Sequence, residues 1–376
     1  MQKKYRQGTV NQGRQAGDAR IAAMEKPAPK DAPATARKSR KGATPTVRDV
    51  ARLAGVAPMS VSRALNNPDS VSPDILQRVR EVVDRVGYVP NLLAGGLASK
   101  KSRMVAAVVP TISGSVFLEM VQALTDGLAA RGYQLMLGQA GYENSREDAL
   151  LEAIIGRRPD GVVLTGIMRS EQGRRRLLAS GIPVVETWDL TDNPIDMLVG
   201  FSHEKIGKAV AEYLIRRGRR RIAAISASDE RAVRRNRHFA DTVLALQPGL
   251  GPDRAAVPTC IVPAPTTLGS GRTGLRELLA QDPSIDAVFC SSDMMAQGVL
   301  LEALALGIEV PRQLAVVGLG DLAFSRDLYP PLTTVRIDGT AIGSTAAQLI
   351  IDRAEGRPVD EPVRDVGFVI VERASS

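Results

Sequence analysis

A chain of 376 residues, 44% hydrophobic and 24% charged, has room for two or three domains and the composition of a globular protein rather than a fibrous or wholly disordered one. Its two cysteines, Cys260 and Cys290, and two histidines, His203 and His238, form no metal-ligand spacing and no disulfide framework, so no metal or cofactor is expected. No apolar run approaches the ~18 residues of a membrane span. The net charge is +8 and aromatics make up only 3%, so attraction to a polyanion would rest on Lys and Arg rather than on base stacking.

That charge is uneven. Residues 1–44 hold 11 Lys/Arg against 3 Asp/Glu, residues 45–103 hold 9 against 5, and the remainder holds 29 against 33. The positive field therefore lies at one end of the chain, where it would favour a nucleic acid in a salt-dependent way. Residues 1–44 have almost no large apolar side chains and cannot offset their ordering entropy. They are expected to be a disordered basic tail. No apolar segment follows the first basic residues, so no secretory signal is expected and the cytoplasm is the expected compartment.

Residues 45–90 form a compact pattern of three helices. In Thr46–Leu65, two short amphipathic runs flank the turn Ala54-Gly55-Val56. Val47, Val50, Ala51 and Leu53 suit one helix face, and Val56, Val61 and Leu65 supply the second run's contribution to the same apolar cluster. Pro58, Met59, Ser60, Ser62 and Arg63 are left pointing outward, a small, polar and cationic set that a major groove can accept. This is the pattern of a helix-turn-helix. Thr46 is placed to cap the first helix, with Asp49 in its first turn. Asn66-Asn67-Pro68-Asp69 breaks the second helix. Ser72 and Pro73 open a third, and Gly87 closes it. Residues 91–103 contain the weak helix Asn91–Lys101 with Gly95-Gly96 inside it, each Gly costing roughly 0.8–1 kcal/mol against Ala. This segment is read as a hinge.

From Met104 the texture becomes strand and helix in alternation. Strands are expected at Val105–Val109, Gln134–Leu137, Gly161–Leu164, Pro183–Val185, Arg221–Ile225, Ala287–Cys290 and Leu314–Val317. Helices are expected near 116–131, 145–157, 204–217, 270–281, 293–306 and 340–355. Near-continuously apolar strands indicate parallel sheets covered on both faces, and about 270 residues suit two doubly wound lobes with ligand between their strand ends.

These parts, in this order, resemble the LacI/GalR family of bacterial transcription regulators over essentially Thr46 to the C-terminus. The head carries Thr46-Val47-Arg48-Asp49-Val50-Ala51, Ala54-Gly55-Val56, Ser60–Asn66 and Val71-Ser72, followed by Gly87–Asn91 and Leu97-Ala98. The core carries Asp160–Leu164, Gly181–Val185, Ser292–Ala296 and Pro331–Val335. Pro183–Glu186, Val199-Gly200-Phe201 and Asp229-Glu230-Arg231 are most like the gluconate-repressor branch. The resemblance implies an all-α helix-turn-helix head and hinge helix, then a periplasmic-binding-protein-like α/β core over 104–376. It also implies a homodimer or tetramer that binds a palindromic operator in double-stranded DNA. The absence of a C-terminal heptad run favours the dimer.

By position, the resemblance implies that Pro58, Met59, Ser62 and Arg63 meet base edges. Thr46, Val47, Ser60 and Asn66 would position phosphates, with Asn91 beside them, and Leu97 would be the wedge that opens a minor-groove step. In the effector cleft it implies Arg237 as the ligand-gripping arginine, with Ser292 and Asp293 beside it. Glu186 and Asp189 follow a strand end, where they either touch ligand or are ordinary loop acids. Arg231, Arg234 and Arg235 are read as a solvated helix face. Gly320 stands where sugar-binding members often carry Asp, which points to an anionic effector such as a sugar acid. The expected function is therefore an effector-responsive repressor of carbohydrate or sugar-acid utilisation genes, without enzymatic activity. A transporter's solute-binding protein would share the core, but the basic head argues against it. A doubly wound enzyme is disfavoured because the first strand is followed by no Gly-x-Gly-x-x-Gly, and no Walker loop or Gly-x-Ser-x-Gly elbow occurs.

Overall fold

Residues 44–89, 101–112, 115–141, 144–168, 170–247 and 256–376 are described by a computed structural model. The tail 1–43 and the hinge residues Asn91 and Leu97 lie outside the described residues. The chain divides into two compact units, one ending at Pro90 and the other beginning at Asn91.

The first unit is three helices, α1 (Val47–Ala54), α2 (Pro58–Asn66) and α3 (Pro73–Val86). Thr46 and Asp49 cap the start of α1 reciprocally: the Thr46 hydroxyl accepts from the Asp49 N–H while the Asp49 carboxylate accepts from the Thr46 N–H. The Thr46 hydroxyl, donating to the Asp49 carboxylate at 2.7 Å, and then the Thr46 N–H hold that carboxyl below its usual range. Gly55 ends α1 at φ 65°, a left-handed conformation that costs glycine nothing. Val50, Ala51, Ala54, Val61, Ala64, Val79 and Val82 form the core. Leu53, expected to face inward, is 43% exposed, because the buried stripe of α1 runs through residues 50, 51 and 54.

The second unit contains two six-stranded sheets. The first begins with β1 (Met104–Val109), α4 (Leu118–Ala129), β2 (Gln134–Gln139), α5 (Asn144–Ile155), β3 (Gly161–Thr165), α6 (Glu171–Ser180), β4 (Val184–Thr187) and β5 (Met197–Gly200). The second takes up α7 (His203–Arg216), β6 (Ile222–Ala227), α8 (Glu230–Leu246), β7 (Thr259–Val262), α9 (Leu268–Gln281), β8 (Ala287–Cys290), α10 (Asp293–Ala305), β9 (Ala315–Leu319) and β10 (Thr333–Arg336). The chain ends with α11 (Gly339–Ala354), β11 (Val363–Asp365) and β12 (Val369–Val371). The sheet orders are β11-β5-β4-β3-β1-β2 and β12-β10-β9-β8-β6-β7. All neighbouring strands are parallel except β12, which runs antiparallel to β10. Full burial of β3, β4, β5, β6, β8 and β9 follows from helices covering both faces.

The chain crosses between lobes three times, after β5, after β10 and between β11 and β12. The helix α11 follows a strand of the second sheet yet packs on α4 and the first sheet. Helix α6 and the short strands β5, β7, β10, β11 and β12 go beyond the expected elements, and α8 extends the helix face expected at Arg231–Arg235 to Leu246. Strands of three or four residues carry too little periodicity to stand out, and β11 is exposed and largely polar. The expected strand and helix positions otherwise match to within a few residues.

The α7–α8 contact sets where α8 presents its side chains to the cleft. Gly207 on α7 lies so close to α8 that an added Cβ would sit 2.4 Å from the Arg235 carbonyl oxygen. Gly207→Ala is expected to destabilise the core by about 1–3 kcal/mol, as overpacking does, measured by urea unfolding. A variant as stable as the parent would show that the two helices are free to separate.

Candidate functional site

On the head, α2 exposes Pro58, Met59, Arg63 and Asn66, with Ser60 and Ser62 half-buried beside them. Val61 and Ala64 face the core, so the helix shows one outward stripe. The Asn66 amide donates to the Ser62 hydroxyl at 3.3 Å. No acid lies on this stripe. It can donate hydrogen bonds to acceptors in a groove through Arg63, and to phosphates through its hydroxyls and amide.

The second site lies between the lobes, beyond the carboxyl ends of both sheets. Two chambers share Asp229, Arg231 and Ala264. One, of about 290 Å³, is polar, and Glu147, Thr165 and Asp189 from the first lobe face Ser228, Asp229 and Arg231 from the second. The other, of about 110 Å³, is walled by Phe117, Trp188, Phe201, His203, Arg235 and Ser291 among others. Burial, then the neighbouring Asp148, pushes the Glu147 carboxyl up from its usual range.

The aromatic wall is a continuous edge-to-face chain. Phe117 and Trp188 centroids lie 5.0 Å apart, Trp188 and Phe201 5.6 Å, and Phe201 and His203 4.9 Å. Arg235 extends it. Its Nη1 donates to His203 Nδ1 at 2.9 Å and its Nη2 to the Ser291 carbonyl at 3.3 Å. The side chain is buried, its Nε has no hydrogen-bond partner, and among the described residues no carboxylate lies within ion-pairing distance of it. Burial brings its pKa down to about 10, so it remains a cation at neutral pH. Two helix-borne arginines next to it close on the first lobe. Arg234 Nη2 reaches both oxygens of Asp189 at 2.5 Å, and Arg231 stacks over Phe117 at 5.8 Å. The cleft offers a ligand an apolar aromatic wall, polar donors and acceptors, and a buried guanidinium.

Comparison with known proteins decides what the two sites belong to. Residues 46–91 match the model for bacterial regulatory proteins of the lacI family, and residues 211–376 match that for a periplasmic binding protein-like domain. The HTH-type transcriptional regulator GntR of Pseudomonas aeruginosa is 37% identical over 88% of this chain and 96% of its own length. The chain belongs to the LacI family. A LacI-family regulator from Silicibacter pomeroyi shares the fold at TM-score 0.80 and 32% identity, over 88% of this chain and 98% of that one. The transcriptional regulator CelR, solved as a complex with cellobiose, matches at TM-score 0.63 and 29% identity, over 88% of this chain and all of that one. The protein is an effector-responsive, DNA-binding transcription regulator rather than an enzyme. Among the described residues no helix is long and apolar enough to cross a membrane.

Within this LacI-family core, two of the five expected effector residues line the cleft. Asp189 lines the polar chamber, and Ser292, the N-cap of α10, lines the aromatic one and bonds Thr266 at 2.9 Å. The other three do not. Glu186 is fully buried and accepts from the Met168 and Ile195 N–H groups at 2.8 Å each, so it braces two loops of the first lobe. Asp293 is fully buried and accepts from Leu322 N–H and from the Ser325 and Thr334 hydroxyls, fastening the segment after β9. Burial nevertheless pushes its carboxyl pKa up.

Arg237 is exposed and lines neither chamber. Two residues turn a helix by about 200°, so Arg237 and Arg235 leave opposite faces of α8. The arginine on the cleft is Arg235, and the expected solvated face of Arg231, Arg234 and Arg235 is instead the face turned inward. The sequence does hold the signal: Ala232, Arg235, Phe239 and Val243 recur at helical spacing and are the buried residues of α8. Trp188 and Phe201 line the aromatic chamber beyond the expected site residues, and their signal in the sequence is that aromatics are few and both directly follow buried strands.

Burial, then the charge of Arg235, lowers the His203 pKa well below 6.5. Its folded pKa lies under the unfolded one, so its contribution to stability is present above about pH 6.5 and is lost as pH falls below it. The stability difference between the wild type and His203→Asn should therefore shrink on acidification from pH 7.5 to 5, by up to about 1.4 kcal/mol per unit. Denaturant titrations of both proteins at each pH provide the check; parallel pH profiles would contradict a neutral His203.

Proposed function

We propose that this regulator is a homodimeric cytoplasmic repressor of carbohydrate or sugar-acid utilisation genes, released from a palindromic operator when a polyhydroxylated carboxylate enters the cleft. Residues 45–90 serve as the DNA-binding head, 91–103 as the hinge and 104–376 as the effector-binding and dimerising core. The observation that carries the effector class is Arg235: a buried cation with no carboxylate among the described residues in ion-pair contact, though Asp229 and Asp189 lie near enough to favour its charge, set in an aromatic wall that suits the face of a sugar. CelR, a family relative, takes a sugar in its solved complex.

In this reading the outward stripe of α2 supplies the base contacts, with Arg63 suited to the O6/N7 pair of guanine. Thr46, Val47 through its backbone N–H, Ser60, Asn66 and Asn91 position phosphates, and Leu97 wedges the central minor-groove step. The effector acts through unequal affinity for two arrangements of the lobes. Closure would tighten both walls around the ligand across the three crossings, and the hinge residues precede β1 directly. A coupling of roughly 1–3 kcal/mol lowers operator occupancy some 5–150-fold.

The test is a thermal-shift screen of sugars and sugar acids, followed by operator release measured with the compounds that bind. A D-gluconate-type hit supports the anionic reading; a shift by neutral sugars alone would overturn it. Arg235→Ala is expected to bind operator normally but to lose effector-induced release, whereas Arg237→Ala should respond like the wild type. Release that persists in Arg235→Ala would remove that residue from the site. Leu97→Ala should fold as the wild type does and bind operator at least roughly tenfold more weakly at fixed salt. Unchanged affinity in that titration would refute the wedge.

A further inference from the structure

One imidazole ties the two lobes together at the aromatic chamber. His203 Nε2 lies 3.1 Å from the Trp188 carbonyl, which can only accept, so Nε2 carries the hydrogen. His203 Nδ1 lies 2.9 Å from Arg235 Nη1, which can only donate, so Nδ1 is bare. The two partners independently require the same tautomer. The imidazolium could keep the bond to the Trp188 carbonyl but not the bond to Arg235, because its Nδ1–H would point at a guanidinium.

The consequence for Arg235 is geometric. With Nη1 on His203 and Nη2 on the Ser291 carbonyl, the plane of the fork is set from two ends. Its Nε has no partner and is out of contact with solvent, and Arg235 lines the chamber while remaining 4% exposed. The consequence for the first lobe lies at Trp188. This residue follows β4 with φ 63°, a left-handed backbone rare outside glycine, and its indole N–H reaches the Met120 sulfur at 2.9 Å. The His203 N–H on its carbonyl helps to hold that kink.

We propose that His203 is the positioning residue for effector recognition: a neutral ring that fixes the Arg235 fork from the second lobe while gripping the Trp188 backbone of the first. The inference rests on the reading that an anionic effector is bound at Arg235.

Asparagine and glutamine separate the ring's two bonds. The carbonyl oxygen of Asn can stand near the place of Nδ1 and keep the acceptor for Arg235, while the longer Gln can place its amide nearer Nε2 and keep the donor for Trp188. In the full-length protein, with D-gluconate as probe, His203→Asn is expected to bind within about threefold of the wild type. His203→Gln and His203→Ala should weaken binding at least roughly tenfold. All three should bind operator unchanged. Trp188 is the sole tryptophan, so its fluorescence reports the titration. Equal loss in the Asn and Gln variants, or loss that follows only their melting temperatures, overturns the positioning role.

Side-chain nitrogen NMR on the unliganded protein tests the pairing without any effector or variant of His203, since the chain has only two histidines. A bare Nδ1 and a protonated Nε2 are expected at pH 7, with the Nδ1 resonance moving on Arg235→Ala. A protonated Nδ1, or a resonance indifferent to Arg235, overturns the proposal. If the wild type takes no sugar acid, the sugar-acid reading falls, while the ring measurement still decides whether His203 holds Arg235.

Discussion

A guanidinium buried without a carboxylate is costly, and the cleft is arranged around keeping one. Arg235 cannot shed its proton at neutral pH, so its neighbours must supply acceptors. They are a histidine nitrogen and a main-chain carbonyl, both weaker partners than a carboxylate. An acid within reach would have satisfied the charge and closed the site to an anionic ligand. The nearby acids are engaged elsewhere: Asp229 caps α8 and faces Arg231, and Asp189 is held by Arg234. The cleft thus sorts its charges, with one arginine committed to joining the lobes and one left on the ligand wall.

The same separation explains the role of α8. It begins at an Asp229 N-cap and presents Arg231, Arg234 and Arg235 toward the cleft, while Phe239 and Val243 anchor its far end in the core. Its close approach to α7 at Gly207 fixes its position, and α7 in turn starts with His203 at the first lobe crossing. The effector wall, the crossing segment and the core packing therefore share residues. Arg235 thus stands on the helix that packs against the segment joining the two lobes.

The acids show why residue type and neighbourhood in sequence are poor guides to a cleft. Glu186 and Asp293 sit at strand and helix ends, where ligand-binding acids are found, but both turn inward and satisfy backbone N–H groups and hydroxyls of loops. A buried carboxylate accepting three such bonds fastens a loop as firmly as a ligand would be held. Only the loops' return paths, which bring Met168 and Ile195 to Glu186 and Leu322 and Ser325 to Asp293, reveal the difference.

Much was legible in the linear chain. The capped three-helix head follows from Thr46, Gly55, Ser72 and Gly87, because caps and left-handed turns are local interactions. The doubly wound core follows from apolar strands alternating with amphipathic helices, because burial on both sheet faces leaves a compositional trace. Which two strand ends face each other, and which side of α8 meets them, depends on three crossings and on helix rotation. Arg235 and Arg237 lie two residues apart, yet about 200° of helix puts one on the wall of the cleft and the other toward solvent. The pairing of His203 with both Trp188 and Arg235 spans 15 and 32 residues of chain. No local propensity encodes contacts at that separation, so the tertiary structure alone decided them.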